Sequence, residues 1–284
     1  MSFGETVLLG AIAGFTIYLG LPLGRIGRVS DRVRVGLAMF SVGILAFIFM
    51  DVTSHGVDIV DAALASFKDH RSSFAHVVGL FALLSAGFTL GTAGIAGMES
   101  AMRQRRPAVT PVAGGDAAGE FSSEELAGFA LDARRAALRT SMTIAVAIGL
   151  HNFAEGLAIG VSAQAGAIGL ATVLVIGFGL HNATEGFGIV GPLGGVRPSW
   201  RWIGLVGLIG GGPTFLGTIV GYQVHSDALE LCFYALAGGA ILYIVGEIWT
   251  AMRRYGHRAL GLYLLAAGFL VGVATDLIVS YGGG

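Results

Sequence analysis

Two short strings hold most of the polar chemistry of an otherwise apolar chain: HNFAEGLAIG at 151–160 and HNATEGFGIV at 181–190. In each, a histidine and a glutamate stand four residues apart, so on a helix His151 and Glu155 share one face, as do His181 and Glu185. Asn152 and Asn182 sit about 100° further round. Imidazole nitrogen and carboxylate oxygen are ligands for borderline divalent ions such as Zn²⁺, Fe²⁺ and Mn²⁺. The same residues could instead hydrogen-bond one another between helices, or relay protons.

A simple symmetry argument favours convergence. In two antiparallel helices, residues at equal depth have numbers symmetric about the turn. Positions 151 and 185 are symmetric about 168, and so are 155 and 181; the apparent turn, AGAIG at 165–169, contains that point. His151 is therefore expected level with Glu185, and Glu155 level with His181, roughly 20 Å from the turn. A carboxylate at that depth of a bilayer costs from about 2.5 kcal/mol upward. A bound divalent ion would neutralise both glutamates, and Gly156 and Gly186 leave room for neighbouring helices to come close.

The surrounding chain reads as an all-α integral membrane protein. Of 284 residues, 54% are hydrophobic and only 12% charged, with 47 glycines, and mean hydropathy is +0.77. Apolar runs long enough to cross a bilayer, about 20 residues each, fall near 5–24, 34–51, 74–98, 138–162, 167–190, 201–223, 229–250 and 259–280. Eight spans are expected, the first belonging to the fold rather than to a cleaved leader. The single cysteine, Cys232, excludes an intramolecular disulfide and a cysteine-based metal site. Of 17 lysines and arginines, 15 lie in alternate connections, and only Lys68 and Arg71 fall on the other side. The positive-inside rule then puts both termini outside the cytoplasm, and the expected location is the cell membrane.

The whole chain reads as one transmembrane domain, with residues 99–137 as a mobile cytoplasmic loop from which a helix, capped at Ser122 or Ser123, leads into the fourth span. Internal comparison adds more. GAIAGFTIYLGLPLG at 10–24 aligns with GLIGGGPTFLGTIVG at 207–221, GILAFIFMD at 43–51 with GAILYIVGE at 239–247, and LLSAGFTLGTA at 83–93 with LLAAGFLVGVA at 264–274. Spans one to three thus repeat as spans six to eight, in opposite orientation, around a central hairpin of spans four and five. Inverted repeats of this kind are a signature of secondary transporters.

On these residues the chain resembles the ZIP (Zrt/Irt-like) family of divalent-metal transporters: eight spans, a long loop after the third, and an H-N-x-x-E-G motif on each of spans four and five. The resemblance implies a 3+2+3 helix arrangement, metal movement into the cytoplasm and a homodimer. By position it carries His151, Asn152, Glu155, His181, Asn182 and Glu185 into the metal site. It also has departures. Ala154 and Thr184 stand where the family often has proline, which puts the helix kinks in doubt. Gly212 precedes Pro213 where many members have a glutamate, which argues for one well-formed site, with the asparagines as weak or outer ligands. The histidine-rich loop common in the family is missing.

The sequence therefore points to a transporter of divalent transition metals, Zn²⁺ first and Fe²⁺, Mn²⁺ or Cd²⁺ next, acting through a His₂Glu₂ site at mid-membrane. The ion is its substrate, and no cofactor, catalytic residue or nucleic-acid partner is expected; the bilayer and a second copy of the chain are. The alternative is an integral membrane metalloenzyme using the same residues around a catalytic metal. Asp51, at the position equivalent to Glu247 in the repeat, would receive the ion together with His55, and Glu247 would help release it. Asp276 has no assigned role. Trp200, Trp202 and Trp249 fall near helix ends and read as interfacial anchors.

Overall fold

A computed structural model describes residues 1–26, 29–104, 123–164, 166, 168–223 and 226–283. Ala165 and Ala167 of the expected turn, Ser122, and most of the expected loop lie outside the described residues. All described elements are helical: α1 (Phe3–Phe15), α2 (Ile17–Gly20), α3 (Asp31–Lys68), α4 (Phe74–Thr89), α5 (Ile95–Gln104), α6 (Ser123–Gln164), α7 (Ile168–Val190), α8 (Trp200–Gln223), α9 (Asp227–Arg253) and α10 (Arg258–Gly283). Among the described residues, seven helical stretches are long and apolar enough to cross a membrane. The hairpin's second arm, α7, is a further helix of 23 residues.

Several boundaries differ from the sequence expectation. The first span breaks at Thr16, whose hydroxyl donates to Ala13 O at 2.6 Å, and closes with a 3₁₀ segment at Leu21–Arg25 containing Pro22. The third span passes through a π-helical turn at Leu90–Gly94 between α4 and α5. The second span does not end at Asp51: α3 runs on to Lys68. Its extension presents Ala63 to Val77, Leu80 and Leu231, with Ile59, Val60 and Leu64 against the same cluster. Burial of that stripe on α4 and α9 sustains the helix. At the start of the expected loop Glu99–Gln104 belong to α5, while the helix expected to lead into the fourth span is present, Ser123–Ala137 joining it as one 42-residue helix.

The centre is built by close backbone contact. A side chain added at Gly14 would collide with Gly211 O, and one added at Gly211 with Gly14 O, so α1 and α8 touch main chain to main chain. Gly43 of α3 abuts Leu265 O and Phe269 N of α10, while Gly239 of α9 abuts Phe88 O and Thr92 N in the third span. Gly156 of α6 lies on Thr214 O of α8, and Gly186 of α7 on Ile17 O, next to Gly20. These crossings hold α6 against α8 and α7 against α2, while α1 and α8 meet each other. The apolar core around them includes Ile17, Leu45, Ile144, Ile148, Ile189, Ile244 and Ile248, each fully buried or nearly so.

Candidate metal centre

The two motif helices run straight through their polar residues. Neither α6 at Ala154 nor α7 at Thr184 is interrupted, because both residues keep the backbone N–H that a proline would remove. The hairpin then delivers the pairs that equal depth requires. His151 Nε2 lies 2.7 Å from Glu185 Oε1, and His181 Nε2 lies 2.5 Å from Glu155 Oε1. Glu155 Oε1 is also 3.9 Å from His151 Nε2, which links the two pairs into one line of four side chains.

The pairs differ in surroundings. His151 and Glu185 have no exposed side-chain surface. His181 keeps 13% of its side-chain surface, and it and Glu155 line a cavity of about 610 Å³. Asp51 and His55 from α3, Tyr234 from α9 and Asp276 from α10 line the same cavity. His55 Nδ1 is 3.6 Å from a carboxylate oxygen of Asp51 and 2.9 Å from its backbone oxygen. Asp51 and His55 thus line one cavity with the His181–Glu155 pair. Glu247 does not line it; it is partly buried on α9 and engaged in a contact of its own.

The asparagines are anchored through their nitrogens. Asn152 Nδ2 donates to Gly210 O at 2.9 Å and stands 3.4 Å from Glu185 Oε2, and Asn182 Nδ2 donates to Ala13 O at 3.1 Å. Ala13 and Gly210 hold the same position in the two aligned segments, so the duplicated motif makes the same bond twice. Each bond ties one arm of the hairpin to a neighbouring span. It also fixes the amide orientation, since only the NH₂ group can donate to a carbonyl.

With the nitrogens committed, the oxygens are left over. Asn152 Oδ1, Asn182 Oδ1, Glu155 Oε2, Glu185 Oε1 and Thr214 Oγ1 are buried and have no hydrogen-bond partner among the described residues. His151 Nε2 and Glu185 Oε1 are near neighbours, yet neither is aligned for a hydrogen bond. Unsatisfied buried acceptors at this density need a physical reason, such as water or an ion. Among the described residues no three His, Cys, Asp or Glu side chains form a ready-made ion cage; the imidazoles and carboxylates are drawn onto one another instead.

Sequence reasoning missed Thr184, Thr214 and Tyr234. Thr184 lines the cavity and donates to His181 O at 2.7 Å. Thr214 follows the only proline inside α8, and its hydroxyl is fully buried. A polar residue next to Pro213, in a span rich in glycine and aliphatics, was the available signal. The chain matches no family model and no curated protein.

Proposed function

We propose that the protein is a secondary transporter that carries divalent transition-metal ions, zinc foremost, into the cytoplasm through His151, Glu155, His181 and Glu185. One observation carries the reading: two imidazole–carboxylate pairs lie in sequence at mid-bundle, the outer at the floor of an open cavity and the inner sealed from it. An ion entering the cavity meets Asp51 and His55, then Glu155 and His181, then the buried pair. Ligand atoms around tetrahedral zinc stand about 3.3 Å apart. The present separations are shorter, so an ion taking these ligands would spread the two pairs and neutralise both carboxylates.

The repeated contacts support the 3+2+3 arrangement with inverted repeats. Gly14 meets Gly211 across equivalent positions, and Gly43 on Phe269 corresponds to Gly239 on Phe88. Such a fold has two related ways to arrange its outer repeats about the hairpin, one open toward Asp51 and the other toward Glu247. Here the buried aliphatic wall of Ile144, Ile148, Ile189, Ile244 and Ile248 closes the far side. The arginine distribution supports a cytoplasmic position for that closed side. A homodimer and freedom from cofactors belong to the same proposal.

Zinc uptake by proteoliposomes tests the route. In Asp51→Asn the apparent KM for zinc rises about three- to tenfold while the maximal rate stays within about twofold, because a carboxylate that concentrates cations in the chamber is lost and the central pairs are kept. An unchanged KM would remove Asp51 from the path.

A further inference from the structure

At the opposite, arginine-rich end of the bundle, the last turns of α9 and the first of α10 frame a second cavity of about 360 Å³. Val35, Met39 and Met252 form its apolar floor, and each is only 2% exposed. Trp249, Arg253 and Arg258 line it as well, with the backbone of Gly256 and Gly261 as a wall. Nearby arginines have structural work. Arg25 donates to Pro198 O and lies over the Trp200 ring, Arg34 donates to Asp31 and Gly194 O, and Arg254 donates to Pro192 O. Arg253 and Arg258 are exposed and have no hydrogen bond or ion pair among the described residues.

Two unpaired guanidinium groups beside a buried aliphatic floor match a ligand with an anionic head and a hydrocarbon tail. The cavity lies where α9 ends and α10 begins, next to the first turns of α3, and all three helices can cross a membrane. That is headgroup depth, where tryptophan side chains also settle. Guanidinium groups bind phosphate through paired N–H donors, and basic pockets between spans suit acidic headgroups. We propose that this cavity binds an anionic phospholipid, with its phosphodiester held by Arg253 and Arg258 and an acyl chain lying on Val35, Met39 and Met252. A free phosphate would use the arginines and leave the apolar floor uncovered. The site does not depend on the metal reading.

Trp249 provides the probe. A Trp200→Phe, Trp202→Phe background leaves it as the only tryptophan, since the chain has three. The full chain is placed in phosphatidylcholine nanodiscs containing a small fraction of brominated phosphatidylglycerol, or the same fraction of brominated phosphatidylcholine. Trp249 quenching is expected to be severalfold greater with the brominated anionic lipid. Arg253→Gln with Arg258→Gln abolishes the difference, while Arg253→Lys with Arg258→Lys keeps most of it. Circular dichroism and the elution profile of both double variants separate loss of the site from loss of the fold. Equal quenching by the two brominated lipids, or a preference that survives the double glutamine change, overturns the proposal. So does displacement by inorganic phosphate, which would identify a soluble-anion site.

Discussion

In Glu185→Gln, zinc affinity measured by calorimetry on the purified protein falls by about 100-fold or more, while the thermal midpoint moves by only a few degrees. Glu185 is completely buried and its carboxylate is 2.7 Å from His151 Nε2. The amide is nearly isosteric and keeps a polar group against the imidazole, so helices α6 and α7 keep their contact. It cannot supply charge. A divalent ion would then sit in the bundle opposed by one carboxylate instead of two, and an uncompensated charge at bilayer depth costs about 2.5–3.5 kcal/mol. That penalty corresponds to roughly 100-fold in a dissociation constant. Glu155→Gln should act in the same direction, because its Oε1 touches His181 and approaches His151. If both variants bound zinc as the parent does, these carboxylates would be interhelical hydrogen-bond partners and nothing more.

The largest effect on the fold is expected from Gly14→Leu. The position where its side chain begins is already occupied by Gly211 O and the Thr214 side chain, so α1 and α8 would have to separate. Neither helix is free to do so. Gly20, in the same span as Gly14, lies against Ala183 O and Gly186 of the hairpin, and α8 is held by Gly156 on Thr214 O and Gly217 on Phe153 O. Overpacking alone costs about 1–3 kcal/mol where side chains can adjust, and more where backbone blocks the way. A thermal midpoint lower by about 10 °C or more in detergent, or loss of the monodisperse species, is the expected result. Gly4→Leu is the control, because nothing stands within 4 Å of its added carbon. Equal tolerance of both substitutions would show that the α1–α8 contact does not hold the bundle together.

The centre of this site was legible because it depends on very little. Helical rise is constant, so numbering alone makes 151 and 185 neighbours once the turn is placed, and the structure forms those contacts. The spans were legible in outline for the same reason: length and hydropathy need no knowledge of neighbours. What tertiary surroundings decide was not readable. Nothing in MDVTSHGVDIVDAALASFK announces that its helix continues to Lys68, since that extension rests on Val77, Leu80 and Leu231 from elsewhere in the chain. The break at Thr16 and the π turn at Leu90–Gly94 have no sequence pattern of their own. Asn152 and Asn182 entered the metal site through the family resemblance, as weak or outer ligands. Their amide nitrogens are taken by Gly210 O and Ala13 O, backbone atoms that no motif names, although the internal alignment places the two at the same position. Once those nitrogens are engaged, the unpartnered oxygens of the site become visible.

Zinc flux is the most direct test of the account. Purified protein in proteoliposomes loaded with a fluorescent zinc indicator should give saturable zinc entry above that of empty vesicles, and His181→Ala with Glu155→Ala should reduce it to the empty-vesicle level. Zinc binding without flux would contradict transport and leave a structural or catalytic metal protein. Flux unchanged in the double variant would show that the ion crosses somewhere other than the paired histidines and glutamates.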